Sequence, residues 1–469
     1  MSDDDPLPQP GQEMLTDPGA ARDSRGKFLL VIAVTIGLFA VVIAHVSGIN
    51  GSPYHIWNWG RLEAGRIYPA MLLAAIPFVG AQVLHRRAKG SNALAILLLM
   101  GGLLLMQLAV AAAQSDAFDL SFISDVVKHP LATSYYTDAD YLANHRPFGR
   151  FLAEYPGLMQ FFSLHSRQKP PGWILYYYLL LKSLPADRAA LVGGILTGLI
   201  STAAIPATYV LIRQLTSDRS AAFAGASYPA ICPSMVLFFP TFDIIYPAMT
   251  CAILVFWLRS LGTGRPGWAV LAGLTLGLAL FMAYNLLVLG ALMIALAVWQ
   301  SWQNGERKLM QAITGPAAVL LGTVVAIYSI LYLTTGFNPI ATFTSALRNQ
   351  HELEATFVFP RPFPQTLPTD IQDFLLGSGW ISLLLVMFWL MRRQRSVIVL
   401  LALGQIILVA CTGLLRCETA RVWAFMLPLL MIPIGLELAR WSPAARMGVF
   451  ACLWLLTTAL AQNMKFLLS

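Results

Sequence analysis

The chain has 469 residues, of which 57% are hydrophobic and only 12% charged, and its mean hydropathy is +0.66. This composition excludes a soluble globular protein of this length, because apolar runs near the roughly 20 residues that cross a bilayer recur along the sequence. The net charge of +8 does not indicate a nucleic-acid-binding protein, since the basic residues fall between the apolar runs rather than in one patch. The sequence therefore predicts an all-α polytopic membrane protein.

Residues 1–27 are rich in Asp, Pro and Gly and have no apolar periodicity, so we expect a disordered tail on the cytoplasmic side. The first apolar run, about residues 28–46, is long enough to span the membrane. Because the segment before it begins acidic, a cleaved signal peptide is disfavoured and the run is expected to remain as an anchor.

Thirteen apolar runs are predicted as transmembrane helices. They lie near 28–46, 67–84, 92–113, 187–212, 220–238, 243–258, 267–283, 284–300, 311–334, 376–391, 396–415, 422–439 and 446–462. With a cytoplasmic N-terminus, every segment predicted on the inside carries at least two Lys or Arg residues. This distribution follows the positive-inside rule and supports the orientation.

The stretch "HSRQKPPGWILYYYLLLK", residues 165–182, interrupts this pattern. If it crossed the membrane, the basic segments from "RQLTSDR" to "MRRQR" would face outward. We therefore expect an interfacial helix that starts after Pro170 and Pro171, with Trp173 and the three tyrosines 176–178 at headgroup depth. An ordinary short span is the alternative.

With this topology, the ionisable residues outside the basic segments gather on the outer side. The first large outer loop, 114–186, and the second, 335–375, hold most of them. Smaller outer turns add Asp243 from "FFPTFDIIYP", and Glu418 and Arg421 from "RCETARVWAF". Any chemistry is therefore expected to face outward.

The sequence contains, in order, a span, a loop with "YYTDADYL", the segment "HSRQKPPGW" and a further span. This order resembles that of the membrane glycosyltransferases of the GT-C superfamily. The resemblance is greatest to the protein O-mannosyltransferases, the lipid A aminoarabinose transferases and their bacterial relatives. In those families an acidic residue of the first outer loop is followed by a His-Pro-Pro or Lys-Pro-Pro motif, here Lys169-Pro170-Pro171. The segment "RVWAFMLPLLMIP" is similar to a late Arg, aromatic, Pro pattern in the same relatives. The resemblance implies a GT-C-like catalytic domain over 92–469, preceded by two extra membrane helices in 28–91.

The resemblance also implies a reaction: transfer of a sugar from a polyprenyl-phosphate donor to a hydroxyl of an envelope glycan, lipid or protein at the outer face of the inner (plasma) membrane. The usual Asp-Glu dipeptide is absent, so either Asp138 or Asp140 would be the general base, with inversion at the sugar. Arg421 and Lys169 would bind the phosphate, and His165, Glu418 and Asp243 would contact substrate. No cofactor is required, although Asp-Ala-Asp could instead ligate a divalent cation.

Each residue also has a purely structural interpretation. Asp138 and Asp140 could be solvated turn carboxylates, Asp243 could cap the following helix, and Glu418 and Arg421, three residues apart, could form a local ion pair. The rival protein classes are a membrane transporter or lipid flippase and a non-enzymatic envelope-assembly protein. Against a transporter, the deep parts of the predicted spans carry almost no charge and no internal repeat is visible.

Overall fold

The computed structural model describes residues 20–46, 57–87, 91–303, 309–356, 362–393, 395–465 and 467, and it is almost entirely helical in these ranges. Within these described ranges, eight helices are long and apolar enough to cross a membrane, or nine if one bent pair forms a single span. This identifies the chain as an all-α membrane protein, as the composition predicts. The predicted tail lies outside the described residues up to position 19.

The first half of the chain contains α1 (Ala20–Ile43), α2 (Ala64–Arg87), α3 (Ala93–Gln114), α4 (Ser121–Lys128), α5 (Tyr135–His145), α6 (Phe148–Leu158), α7 (Gly172–Ser183), α8 (Ala186–Ser201), α9 (Ala204–Leu215), α10 (Arg219–Ser227) and α11 (Pro233–Leu237). The second half contains α12 (Tyr246–Thr263), α13 (Pro266–Met282), α14 (Leu289–Gln303), α15 (Leu309–Thr335), α16 (Pro339–Thr356), α17 (Leu367–Ser378), α18 (Ile381–Leu390), α19 (Val397–Thr412), α20 (Thr419–Val422), α21 (Leu427–Leu438) and α22 (Pro443–Asn463). One short antiparallel pair joins β1 (Asn58–Trp59) to β2 (Met464–Lys465), with Asn58 opposite Lys465.

The predicted number of thirteen spans exceeds the eight or nine that the described helices provide. Three further apolar helices, Pro266–Met282, Val397–Thr412 and Ala424–Leu438, are shorter than the eight. The run 220–238 is divided between α10 and α11, because Pro229 and Pro233 each lack the N–H that would continue the helix. The run 376–391 bends by 96° between α17 and α18.

Contacts between distant segments assign the polar groups to two ends of the bundle. At one end, the buried carboxylate of Glu437 accepts hydrogen bonds from Lys27 (3.4 Å), from Nε of Arg392 (2.8 Å) and from the indole of Trp441 (3.0 Å). Both cations belong to segments predicted on the same, inner side. Their meeting at one carboxylate agrees with the relative sidedness deduced from the basic segments. We call this end the basic end.

The opposite end, which we call the site end, holds the residues predicted on the outer side. The indole of Trp57 donates to Asp373, and Lys169 donates to Asn285. The first contact joins two segments predicted on the outer side. The second joins the first outer loop to Asn285, at the outer end of the span predicted over 284–300.

Helix α7 is the segment expected to lie in the membrane interface. Its 12 residues extend only about 18 Å, too short to cross a hydrocarbon core of about 30 Å. Its aromatic rings, however, pack against protein rather than facing headgroups. Trp173 stacks on Phe242 with ring centroids 3.7 Å apart, and its indole donates to the hydroxyl of Tyr246 at 2.8 Å.

Helix α7 can approach α8 closely because Gly193 carries no side chain. A Cβ at that position would lie 2.4 Å from Cε1 of Tyr177. Small residues at such contacts let membrane helices pack tightly. This packing holds the segment just before α7, which carries Lys169, against the rest of the site end.

Candidate functional site

Arg421 lies at the centre of a group of buried charges at the site end. Its side chain is 8% exposed, and its Nε lies 3.3 Å from Oδ2 of Asp243. Its Nη2 forms an ion pair with Glu418, and its Nη1 donates to the carbonyl of Ala132 at 3.2 Å. We call Arg421, Asp243 and Glu418 the Arg421 cluster. The guanidinium of Arg421, which the sequence predicted to bind a phosphate, is thus ion-paired with two carboxylates in this structure.

The backbone before Arg421 adopts an unusual conformation that aims these side chains. Cys417 and Glu418 are consecutive non-glycine residues in the left-handed region, with φ of +77° and +50°. Such residues cost roughly 1–2 kcal/mol each, so the surrounding contacts must hold them in place. A local ion pair between Glu418 and Arg421 was the structural alternative to a role in substrate binding. The structure contains that pair, which forms across a strained turn rather than within a regular helix.

Two carboxylates of α17 hold the turn in place. Oδ1 of Asp370 accepts from the backbone N–H of Cys417 at 3.2 Å. Oδ2 of Asp373 accepts from the backbone N–H of Ala420 at 2.9 Å and from the hydroxyl of Thr419 at 3.3 Å. The sequence analysis did not single out these carboxylates. The available signal was two acids three residues apart in one short helix, which places them on one face.

Lys169 approaches the cluster from the first outer loop. Its Nζ donates to Oδ1 of Asn285 at 3.0 Å. Burial lowers its pKa below the ordinary value of 10.5; the charge of Arg421 acts in the same direction, and the carboxylates of Asp243 and Glu418 oppose it. These mutual effects bring Lys169 into the same electrostatic neighbourhood as the Arg421 cluster. The charge of Lys169 therefore interacts with those of three other residues that the sequence predicted as part of a site.

His165 supports the turn that precedes Lys169. Its backbone N–H donates to Oγ of Ser134 at 3.1 Å, and its Nε2 lies 2.9 Å from the carbonyl of Leu131. Burial lowers the pKa of His165, and the charge of Arg421 lowers it further. A neutral imidazole that donates from Nε2 to this carbonyl keeps Nδ1 as an acceptor.

Tyr135 is a buried neighbour of the Arg421 cluster that the sequence analysis did not name. Burial raises the pKa of its hydroxyl, and the negative charge of Asp243 raises it further. Its ring packs edge-on against Phe242, with centroids 5.5 Å apart. A protonated phenol is therefore kept beside the Asp243 carboxylate.

Asp138, one of the two predicted bases, serves as an acceptor inside the first outer loop. Its two carboxylate oxygens accept from the backbone N–H of Ser163 at 3.1 and 3.2 Å, and one of them also accepts from the Ser163 hydroxyl at 3.0 Å. Burial raises its pKa, and these hydrogen bonds oppose the shift. Asp138 thus ties α5 to the turn that leads to His165.

Asp140, the other predicted base, lies on a different face of α5. Two residues along a helix correspond to a rotation of about 200°, so Asp138 and Asp140 do not point to one ligand. Oδ1 of Asp140 accepts from Nδ2 of Asn144 at 3.3 Å. In the part of the chain that the structure describes, no group of three or more His, Cys, Asp or Glu residues is arranged to hold a metal ion.

Neither the protein-family models nor the curated proteins searched give a match to this sequence. The arrangement at the site end is therefore the basis for inferring function.

Proposed function

We propose that the protein is a membrane glycosyltransferase that moves a sugar from a polyprenyl-phosphate donor to a hydroxyl acceptor at the outer face of the inner membrane. The observation that carries the proposal is the ion-paired cluster of Asp243, Glu418 and Arg421 at one end of a helical membrane bundle, with the charge of Lys169 in electrostatic interaction with it. These residues come from distant parts of the sequence and supply both acid–base and cationic groups. The acceptor would be an envelope glycan, lipid or protein.

Asp243 is the general base in this proposal. Oδ2 of Asp243 is ion-paired with Nε of Arg421 at 3.3 Å, and the Asp243 carboxylate accepts no hydrogen bond from a described residue. A carboxylate oriented in this way could accept the proton of an attacking hydroxyl. Asp138 is engaged by Ser163, and Asp140 has no contact with the cluster among the described residues, so both are less suited to the role.

Lys169 is the cation that would receive the departing phosphate. Arg421 is already paired with two carboxylates, so its main task is to orient Asp243 and Glu418. Attack by the acceptor oxygen on the anomeric carbon breaks the bond to the phosphate oxygen, and the oxocarbenium-like transition state forms between the base and the leaving group. One in-line displacement inverts the anomeric centre.

The proposal requires no divalent cation, because the ammonium of Lys169 can offset charge on a leaving phosphate. If a metal ion were essential, chelators would abolish turnover. Chelator-treated protein is therefore expected to retain activity.

The test is to incubate purified protein with a panel of labelled polyprenyl-phosphate sugars and envelope extracts. Transfer to an extract component is expected, and Asp243→Asn should abolish most of it. Asp187→Asn is the matched control, because that carboxylate is 91% exposed and pairs only with Lys128 among the described residues. No transfer by folded protein to any acceptor would refute the proposal and favour a transporter or flippase, which a liposome translocation assay would then detect.

A further inference from the structure

The carboxamide of Asn285 has an unused hydrogen-bond donor inside the site end. Asn285 lies in the 3-10 turn Tyr284–Val288 between α13 and α14, and it is 5% exposed. Its Oδ1 accepts from Lys169 at 3.0 Å, and since an ammonium group only donates, this contact fixes which amide atom is the oxygen. Its Nδ2 is buried and has no hydrogen-bond partner among the described residues.

Lys169 also has donors to spare. Only one of its three N–H groups is used by Asn285, and the nearby carboxylates of Asp243 and Glu418 pair with Arg421 instead. Among the described residues, Lys169 has no carboxylate partner within ion-pair distance. Its positive charge is therefore available to a ligand.

Buried donors are nearly always paired, so the unpaired Nδ2 of Asn285 beside the half-buried ammonium of Lys169 points to a ligand that brings acceptors. The complement of an ammonium beside an amide NH₂ is an anion with several oxygens in a compact arrangement. A phosphate monoester fits this description, because two of its oxygens can accept from the two side chains at once.

We propose that Lys169 and Asn285 together form the phosphate-binding site, with Nζ and Nδ2 donating to phosphate oxygens. That the phosphate is attached to a polyprenyl chain rests on the proposed function. Asn285 has no role in the resemblance, and its place in the sequence, within an apolar run, gave no indication of one. Its Oδ1 also orients the Lys169 ammonium, so the amide both binds the ligand and positions the cation.

The experiment measures binding of a radiolabelled, sugar-free polyprenyl monophosphate to the purified full chain in detergent. Asn285→Asp keeps the size of the side chain and its contact with Lys169 but removes both donors and adds a repelling charge. We expect affinity to fall at least about 10-fold, the effect of losing one hydrogen bond to a charged group. Asn285→Leu, which removes the donors without adding charge, should show a loss of similar size.

The matched control is Asn144→Asp, which introduces the same charge at an exposed position of α5 and should leave affinity unchanged. Thermal midpoints of all variants identify any loss that comes from misfolding. Competition by inorganic phosphate would support recognition of the phosphate group, whereas competition by polyprenol alone would overturn it. Unchanged affinity in both Asn285 variants, or no binding by the unmodified chain, would also overturn it.

Because the probe carries no sugar, this result is separate from the proposed transferase activity. Asn285-dependent binding without sugar transfer would refute the transferase and leave the phosphate site standing. Sugar transfer with Asn285-independent binding would refute only the phosphate site.

Discussion

Replacing Arg421 by Met should destabilise the protein by removing the cation that is ion-paired with the carboxylates of Asp243 and Glu418. The guanidinium is 8% exposed, and the carboxylates of Asp243 and Glu418 are 19% and 20% exposed. Removing one partner of a buried ion pair costs about 3–5 kcal/mol, and because both carboxylates keep some contact with solvent we take the lower value, about 3 kcal/mol. An unfolding entropy of roughly 2.1 cal/mol/K per residue then gives a fall of about 3 °C in the thermal midpoint for a chain of 469 residues.

The midpoint can be followed by tryptophan fluorescence of the purified protein in detergent. Adding Asp243→Asn and Glu418→Gln to the Arg421→Met variant removes the two negative charges that Arg421 offsets, so part of the lost stability should return. Arg348→Met is the control, since Arg348 is exposed on α16 and should change the midpoint little. If Arg421→Met behaves like Arg348→Met, or if the triple variant is less stable than Arg421→Met alone, the cluster does not contribute to stability in this way.

Three further predictions concern activity and topology. Asp243→Asn should lower turnover by roughly 10²- to 10⁴-fold, the contribution of a positioned general base, with little change in donor binding. Asp140→Asn should retain turnover. The reverse result would assign the general base to the first outer loop. Binding of the donor to the unmodified protein should weaken as pH rises through the lowered pKa of Lys169, because the amine loses its charge. The Lys169→Arg variant should keep binding the donor at higher pH, since a guanidinium stays charged. Identical pH profiles would exclude Lys169 from phosphate binding. In an accessibility assay, Asp140→Cys should react with an impermeant thiol reagent added from outside, and Arg440→Cys should not. Labelling of Arg440→Cys alone would invert the assigned sidedness.

The sequence alone determined the class of the protein and the distribution of its charges. A bilayer accepts long apolar helices and strongly disfavours unpaired charge, so composition indicated a helical membrane protein, and the spacing of basic segments predicted the orientation of its helices. The prolines before α7 marked where that helix begins. Lys169, Asp243, Glu418 and Arg421 could also be singled out, because they are ionisable residues in short segments between apolar runs.

Only the tertiary structure decided which of these residues meet. Hydropathy could not reveal that the run 220–238 is divided into short helices, nor that Asp138 is engaged by Ser163 while Asp243 contacts Arg421. Asn285 could not be predicted for the same reason. Its amide Nδ2 is recognised as an unpaired donor only in the folded protein, where Oδ1 accepts from Lys169 and Nδ2 is buried. The period and polarity of a segment describe its own surroundings in membrane or water, whereas a site depends on contacts between segments far apart in the chain, and those contacts are set by how the helices pack.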